Sequence, residues 1–201
     1  PTPAEAAALA ASRHYAAVES GYAVLQSTRP QTIGYALADS PVAQCAWIIE
    51  KFKTWTDTEH RPEDAITRDE LLDNVMLYWL TGTAASAGRL YYENAHAENR
   101  PTEPTTVALG LAGFGGDFSG IRRFAERDHG NIVHWSVFDH GGHFAAHKAP
   151  DLLVGDVREA TTGTPMRAAL SRISDDTRPV ESRMRSTVVM PLSRASPFTL
   201  S

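Results

Sequence analysis

The chain has 201 residues, 42% of them hydrophobic and 21% charged, with a net charge of −5 and no basic cluster, so it can bury the core of one domain and offers nothing to nucleic acid. A single cysteine, Cys45, excludes a disulfide framework and a Cys-x-x-Cys metal knuckle. No apolar run approaches the roughly 18 residues of a membrane span, and Pro1-Thr2-Pro3-Ala4-Glu5 lacks the charged-then-apolar order of a signal peptide, so a globular, cytoplasmic chain without a membrane partner is expected.

The first half reads as helical. Ala4 to about Val18 is rich in alanine, the strongest helix former. Asp39-Ser40-Pro41 offers a cap residue followed by proline at the first helical position. From there Val42, Ala46, Ile49 and Phe52 recur at helical spacing toward Trp55, an expected buried face. Residues 57–66 are a polar connection. Thr67-Arg68-Asp69-Glu70 matches a capping box, and the helix it opens carries Leu71, Leu72, Val75, Met76 and Trp79. Gly82 and Gly88 are expected to break or bend the chain around residues 84–87, and residues 95–104 to form a linker.

The second half changes period. Residues 105–111 (T-T-V-A-L-G-L) and 132–138 (I-V-H-W-S-V-F) are short continuous apolar runs, as expected of strands buried on both faces. Helices are expected over Ile121–Arg127 and from Ala149 to about Ala160. Strand, helix, strand, helix at this spacing predicts an α/β fold with a parallel sheet. Two strands do not make a covered sheet, so the rest of it is expected elsewhere. Beyond Thr161 apolar periodicity fades, and 161–201 reads as a poorly ordered or atypical tail.

Two loops at strand ends carry candidate chemistry. Asp139-His140-Gly141-Gly142-His143 closes the second run, and its glycines permit a sharp reversal that lifts His143 into a cleft. Asp117 follows the first run in G-F-G-G-D. A carboxylate there can accept the imidazole N–H, fix the tautomer and leave the other nitrogen as a base. Asp117 is equally a candidate N-cap for a helix over 119–127, and His143 a candidate plain loop histidine; the capping and orienting roles are compatible. A nucleophile is missing. No G-x-S-x-G elbow occurs and Cys45 falls mid-helix. Gly115-Gly116-Asp117 looks superficially like a turn presenting a nucleophilic aspartate, but its relation to His143 favours the orienting role. His140, His143 and His147 include an i, i+4 pair, yet the glutamate of H-E-x-x-H is absent, so no metal and no cofactor are expected. Tyr22, Tyr91 and Tyr92 read as core aromatics.

Beyond these features, E-S-G-Y (19–22), T-R-P-Q-T-I-G-Y-A-L-A-D-S-P (28–41), W-I-I-E-K-F (47–52), N-V-M-L-Y-W-L-T-G-T (74–83), R-L-Y-Y-E-N (89–94) and G-G-H-F-A-A (141–146) resemble, in order, the C-terminal half of an epoxide hydrolase. The resemblance is to the microsomal and juvenile-hormone branch of the α/β-hydrolase superfamily and covers about residues 15–158. It implies the C-terminal part of an α/β-hydrolase fold: a helical cap over 1–100, then the last two strands and helices of the core sheet over 101–160. It also implies a two-step reaction. An aspartate opens the epoxide to give an alkyl-enzyme ester while two cap tyrosines donate to the departing oxygen; a histidine–acid pair then activates water to hydrolyse the ester. The base falls on His143, the acid on Asp117, and the tyrosines on Tyr22 and Tyr91, with Tyr92 a neighbour outside the motif position.

The chain departs from the family in two places. The nucleophilic aspartate and an H-G-x-P segment belong to an N-terminal half not found in these residues. Ala160-Thr161-Thr162-Gly163 replaces an aromatic-rich last helix. Two readings follow. In one the chain is half of an epoxide hydrolase, acting on a small hydrophobic epoxide once complemented by a second chain and inactive alone. In the other it is a non-catalytic remnant that binds hydrophobic ligands, a partner chain or a further copy of itself through an unpaired sheet edge.

Overall fold

The computed structural model describes residues 1–98 and 103–163. The expectations for the rest of the tail, 164–201, and for the middle of the linker, 99–102, lie outside them.

The helical half begins with α1 (Pro3–His14), closed at its start by a capping box between Thr2 and Glu5. The predicted single helix to Val18 is instead interrupted. A π-helical turn, Tyr15–Glu19, follows α1, with Ser20 N–H reaching the Tyr15 carbonyl at 3.0 Å. After it come α2 (Gly21–Thr28), α3 (Pro30–Asp39) and α4 (Pro41–Trp55). Ser40 caps α4 by accepting from Ala43 N–H at 3.2 Å, with Pro41 in the first turn, as its sequence predicts. The face expected to be buried is only partly so. Val42 is 75% exposed, whereas Gln44 and Phe52 are inside, because contacts with α3 and the following helix decide which side turns inward.

Thr67 and Glu70 form the expected capping box for α5 (Arg68–Thr81). Leu71 and Val75 bury its inner face, leaving Leu72 and Met76 outside. Gly82 ends it in the left-handed conformation, φ +63°. Gly88 does not break the chain. It lies buried inside α6 (Ala84–Ala95), where a Cβ would meet Gln26 of α2 at an ordinary contact distance of 3.6 Å. Gly34 of α3 is tighter against Ala85, where a Cβ would stand 3.1 Å from the alanine methyl. The small residues at this second contact let α3 lie close against α6.

The predicted strand over 105–111 is displaced. The strand β1 is Leu109–Gly115, and of the earlier residues only Thr105 forms a bridge, to His129. Apolar content located the run, but register is set by pairing with β2 (Ile132–Gly141), which itself runs three residues past its predicted end. The pair is parallel, joined by α7 (Arg122–Asp128), with Leu111 opposite Trp135 and Phe114 opposite Phe138. Neither strand is buried on both faces in this structure. Half-buried and exposed positions alternate from Leu109 to Gly113 of β1, and Val137 is 75% exposed. After β2 come α8 (Ala145–Lys148) and α9 (Pro150–Thr162), the latter two residues longer than its predicted end.

Helix α9 docks on β2 through a buried polar cluster. Asp156 accepts from the Ser136 hydroxyl and pairs with His134 Nε2 at 2.7 Å. Both bonds fall on the same carboxylate oxygen, Oδ1.

Candidate active site

Strands β1 and β2 end side by side, and the irregularity of their last rung shapes the site. Phe114 pairs with Phe138, but the next residue, Gly115, pairs with Gly141. Asp139 and His140 therefore bulge out of the ladder, as chains often do beside active sites. A side chain on Gly115 would collide with the Asp139 carbonyl. Gly141 and Gly142 then take φ of +124° and +63°, turning the chain so that His143 stands at the mouth of the strand ends.

The loop rests on the end of α4. His143 N–H donates to the Trp55 carbonyl at 3.0 Å, and Gly141 N–H donates to Asp57 Oδ2 at 3.3 Å. Phe144 stacks on Phe52 at 4.1 Å, joining the small core of Phe52, Ile66 and Leu71.

Asp117 lies across from His143. The imidazole Nδ1 is 3.1 and 3.2 Å from its two carboxylate oxygens, with the side chains 42% and 25% exposed. The alternative role for Asp117 is not taken: α7 starts at Arg122 with Ile121 at its N-cap. Asp117 instead sits in a turn, its N–H on the Phe114 carbonyl at 3.2 Å and Gly116 before it at φ +82°. A carboxylate on Nδ1 holds the proton there and leaves Nε2 as the acceptor, the arrangement of a general base.

The two tyrosines come from neighbouring helices, α2 and α6. Tyr22 and Tyr91 meet edge-on at 5.8 Å. Tyr22 also meets Trp55 at 5.4 Å, and Trp55 meets His143 at 5.0 Å. Tyr91, Tyr22, Trp55 and His143 thus form one chain of ring contacts, which Asp117 joins through its bond to the histidine. Tyr92 turns away and stacks on His96 at 4.0 Å. Burial, the Tyr15 hydroxyl at 2.9 Å and the neighbouring phenols push the Tyr22 pKa far above the ordinary phenol value. Burial raises that of Tyr91 as well, opposed by its hydrogen bond with Tyr22. Both phenols therefore stay protonated across the physiological range, as hydrogen-bond donors must.

Sequence reasoning missed three participants. Tyr15 bonds Tyr22 and packs edge-on against Phe118 at 4.8 Å, beside Asp117. Trp55 and Asp57 hold the histidine loop, yet both looked like a helix end running into a polar connection. The aromatic at 55 was the available signal, because a tryptophan at the end of a helix seldom stands free of packing. As for metal, His140 bonds Asp139 at 2.5 Å in an exposed position, and among the described residues no three His, Cys, Asp or Glu side chains gather as ligands.

No family model matches the chain. It is, however, 46% identical over 159 residues to a putative epoxide hydrolase of Stigmatella aurantiaca, covering 79% of this chain. It is 40% identical over 152 residues to epoxide hydrolase 1 of Sus scrofa, covering 70%. The chain belongs to the epoxide hydrolase family. It spans about a third of those relatives, 36% and 34% of their lengths. The crystal structure of juvenile hormone epoxide hydrolase from the silkworm Bombyx mori superposes on 81% of this chain and 42% of its own, with a TM-score of 0.70 and 31% identity. The fold is accordingly the C-terminal part of an epoxide hydrolase α/β-hydrolase: helices followed by the last two strands of the core sheet and their helices. Among the described residues no helix is long and apolar enough to cross a membrane.

Proposed function

We propose that this chain supplies the oxyanion donors and the water-activating pair for hydrolysis of a small hydrophobic epoxide to a diol, the attacking aspartate lying outside these 201 residues. Tyr22 and Tyr91 donate hydrogen bonds to the epoxide oxygen. As the aspartate forms its bond to carbon and the ring C–O bond breaks, the negative charge on oxygen is met by donors already in place, where they stabilise it most. A proton from solvent then converts the alkoxide to a hydroxyl. His143, oriented by Asp117, takes a proton from water through Nε2. The hydroxide attacks the ester carbonyl and the C–O bond to the alkyl group breaks. The carboxyl proton passes to the departing alkoxide, so that the diol leaves and the aspartate is again a carboxylate, and the imidazolium of His143 returns its proton to solvent.

The observation that supports this reading best is the His143–Asp117 pair facing the two high-pKa phenols across a single tryptophan. The test combines the chain with a polypeptide carrying the remaining strands and an aspartate elbow. The wild-type pair should convert an aryl epoxide to its diol. His143→Gln should retain the epoxide mass on the aspartate, seen by mass spectrometry, and turn over no further. Rapid turnover by that variant overturns the assignment. A wild-type pair that binds the epoxide without forming diol makes the chain a binding module instead.

A further inference from the structure

We propose that Glu19 and Trp55 act together as positioning residues for His143, an inference that rests on the reading of His143 as the base that activates water. The bond to Asp117 fixes one imidazole nitrogen but leaves the ring free to swing about it, and this ring is 42% exposed. Something must stop that swing. Besides Phe144, the next residue in the chain, Trp55 is the ring that abuts it, edge-on at 5.0 Å with 61° between planes. The same residue holds the histidine by its main chain, through the Trp55 carbonyl on His143 N–H at 3.0 Å.

The indole is itself tethered. Its Nε1–H donates to Glu19 Oε2 at 2.8 Å, a charge-assisted bond across 36 residues of sequence. The Glu19 side chain is 23% exposed, and its other oxygen lies 3.6 Å from His14 Nε2. Glu19 closes the π-helical turn Tyr15–Glu19, a rare geometry that recurs at functional sites. That turn changes the helical register just before Tyr22, so one segment delivers both a phenol to the substrate side and a carboxylate to the back of Trp55. The tether of Trp55 and one of the two donors for the leaving oxygen are thereby built on the same eight residues, 15–22.

The test is a kinetic split in the assembled enzyme. Glu19→Ala and Trp55→Phe should slow ester hydrolysis by about 10- to 100-fold, the scale on which a displaced catalytic group costs rate. With Glu19→Ala, kcat and KM should fall together while kcat/KM, which reports the steps through alkylation, stays within a few-fold of wild type. The alkyl-enzyme should accumulate to match. Glu19→Gln keeps an oxygen that accepts from the indole and should restore kcat to within a few-fold. A merely structural defect would lower kcat/KM and the adduct yield as well, so that pattern, or a glutamine variant as impaired as the alanine, overturns the proposal. A wild-type assembly that forms no diol removes the reading beneath it, and shows itself before any variant is made.

Discussion

Replacing Gly142 by alanine should be among the most damaging single-methyl additions in the chain. At φ +63° an alanine costs about 1–2 kcal/mol relative to glycine from its own backbone sterics. The added Cβ would also lie 2.8 Å from the Asp57 nitrogen and 2.9 Å from the Trp55 oxygen, well inside the 3.4 Å at which ordinary contact begins. Both are backbone atoms, so no side chain can rotate aside and the loop must part from α4. It would then lose the His143 N–H bond to Trp55 and the Gly141 N–H bond to Asp57, together about 2–4 kcal/mol for one neutral and one charge-assisted hydrogen bond. The total is about 3–5 kcal/mol after partial relaxation, a large part of the stability of a domain this size. Gly155→Ala is the control. It lies inside α9 with nothing within 4 Å of its Cβ and no positive φ, and should stabilise by about 0.5–1 kcal/mol. Urea unfolding followed by far-UV circular dichroism reads both. A Gly142→Ala midpoint equal to that of wild type, or to that of Gly155→Ala, would refute the account of how the histidine loop is held.

In the assembled enzyme Tyr22→Phe and Tyr91→Phe should each slow alkylation by about 10²–10³-fold, the effect of removing one oxyanion donor. Tyr92→Phe, whose ring stacks on His96, should change it little, and pre-steady-state adduct formation distinguishes the three. Asp156→Ala leaves His134 and Ser136 without their shared partner and should cost about 2–4 kcal/mol, read as a lower unfolding midpoint with α9 losing amide protection first. Because the Tyr22 phenol is raised in the folded chain, the fold binds that proton more tightly than the unfolded chain does. Its contribution is fully present below the ordinary phenol pKa of about 10 and is lost as pH climbs above it toward the folded value. Thermal midpoints should therefore fall above pH 10, and less steeply in Tyr22→Phe.

Short-range chemistry was legible in the sequence. The caps at Ser40 and Thr67 and the stop at Gly82 follow from hydrogen bonds and dihedrals spanning four residues or fewer. Long-range choices were not. Strand β1 slid toward Gly115 because a parallel partner sets its register and because Gly115, a poor strand former in isolation, is what the crowded strand end admits. Val42 and Phe52 share one predicted face, and only the neighbouring helices decide that the second is buried and the first is not. The site divides in the same way. His143 and Asp117 stood out through strand-end logic, Tyr22 and Tyr91 only through the resemblance to a family, and the structure brings the four together. Trp55 and Asp57 did not, since their partners Glu19 and Gly141 lie 36 and 84 residues away.

The stack of Phe144 on Phe52, with the main-chain bond beside it, bears on how such enzymes can be recombined. A natural place to exchange specificity between relatives is the boundary near residue 100, taking one parent's helices and another's strands. Here that cut would separate Phe52, Trp55 and Asp57 from the loop they were selected to fit. A chimaera joined at that point should inherit a histidine loop seated on a foreign surface, and His143 would be the first side chain misplaced. Residues 52–57 and 141–144 form one unit of exchange, although 84 residues of sequence separate Asp57 from Gly141.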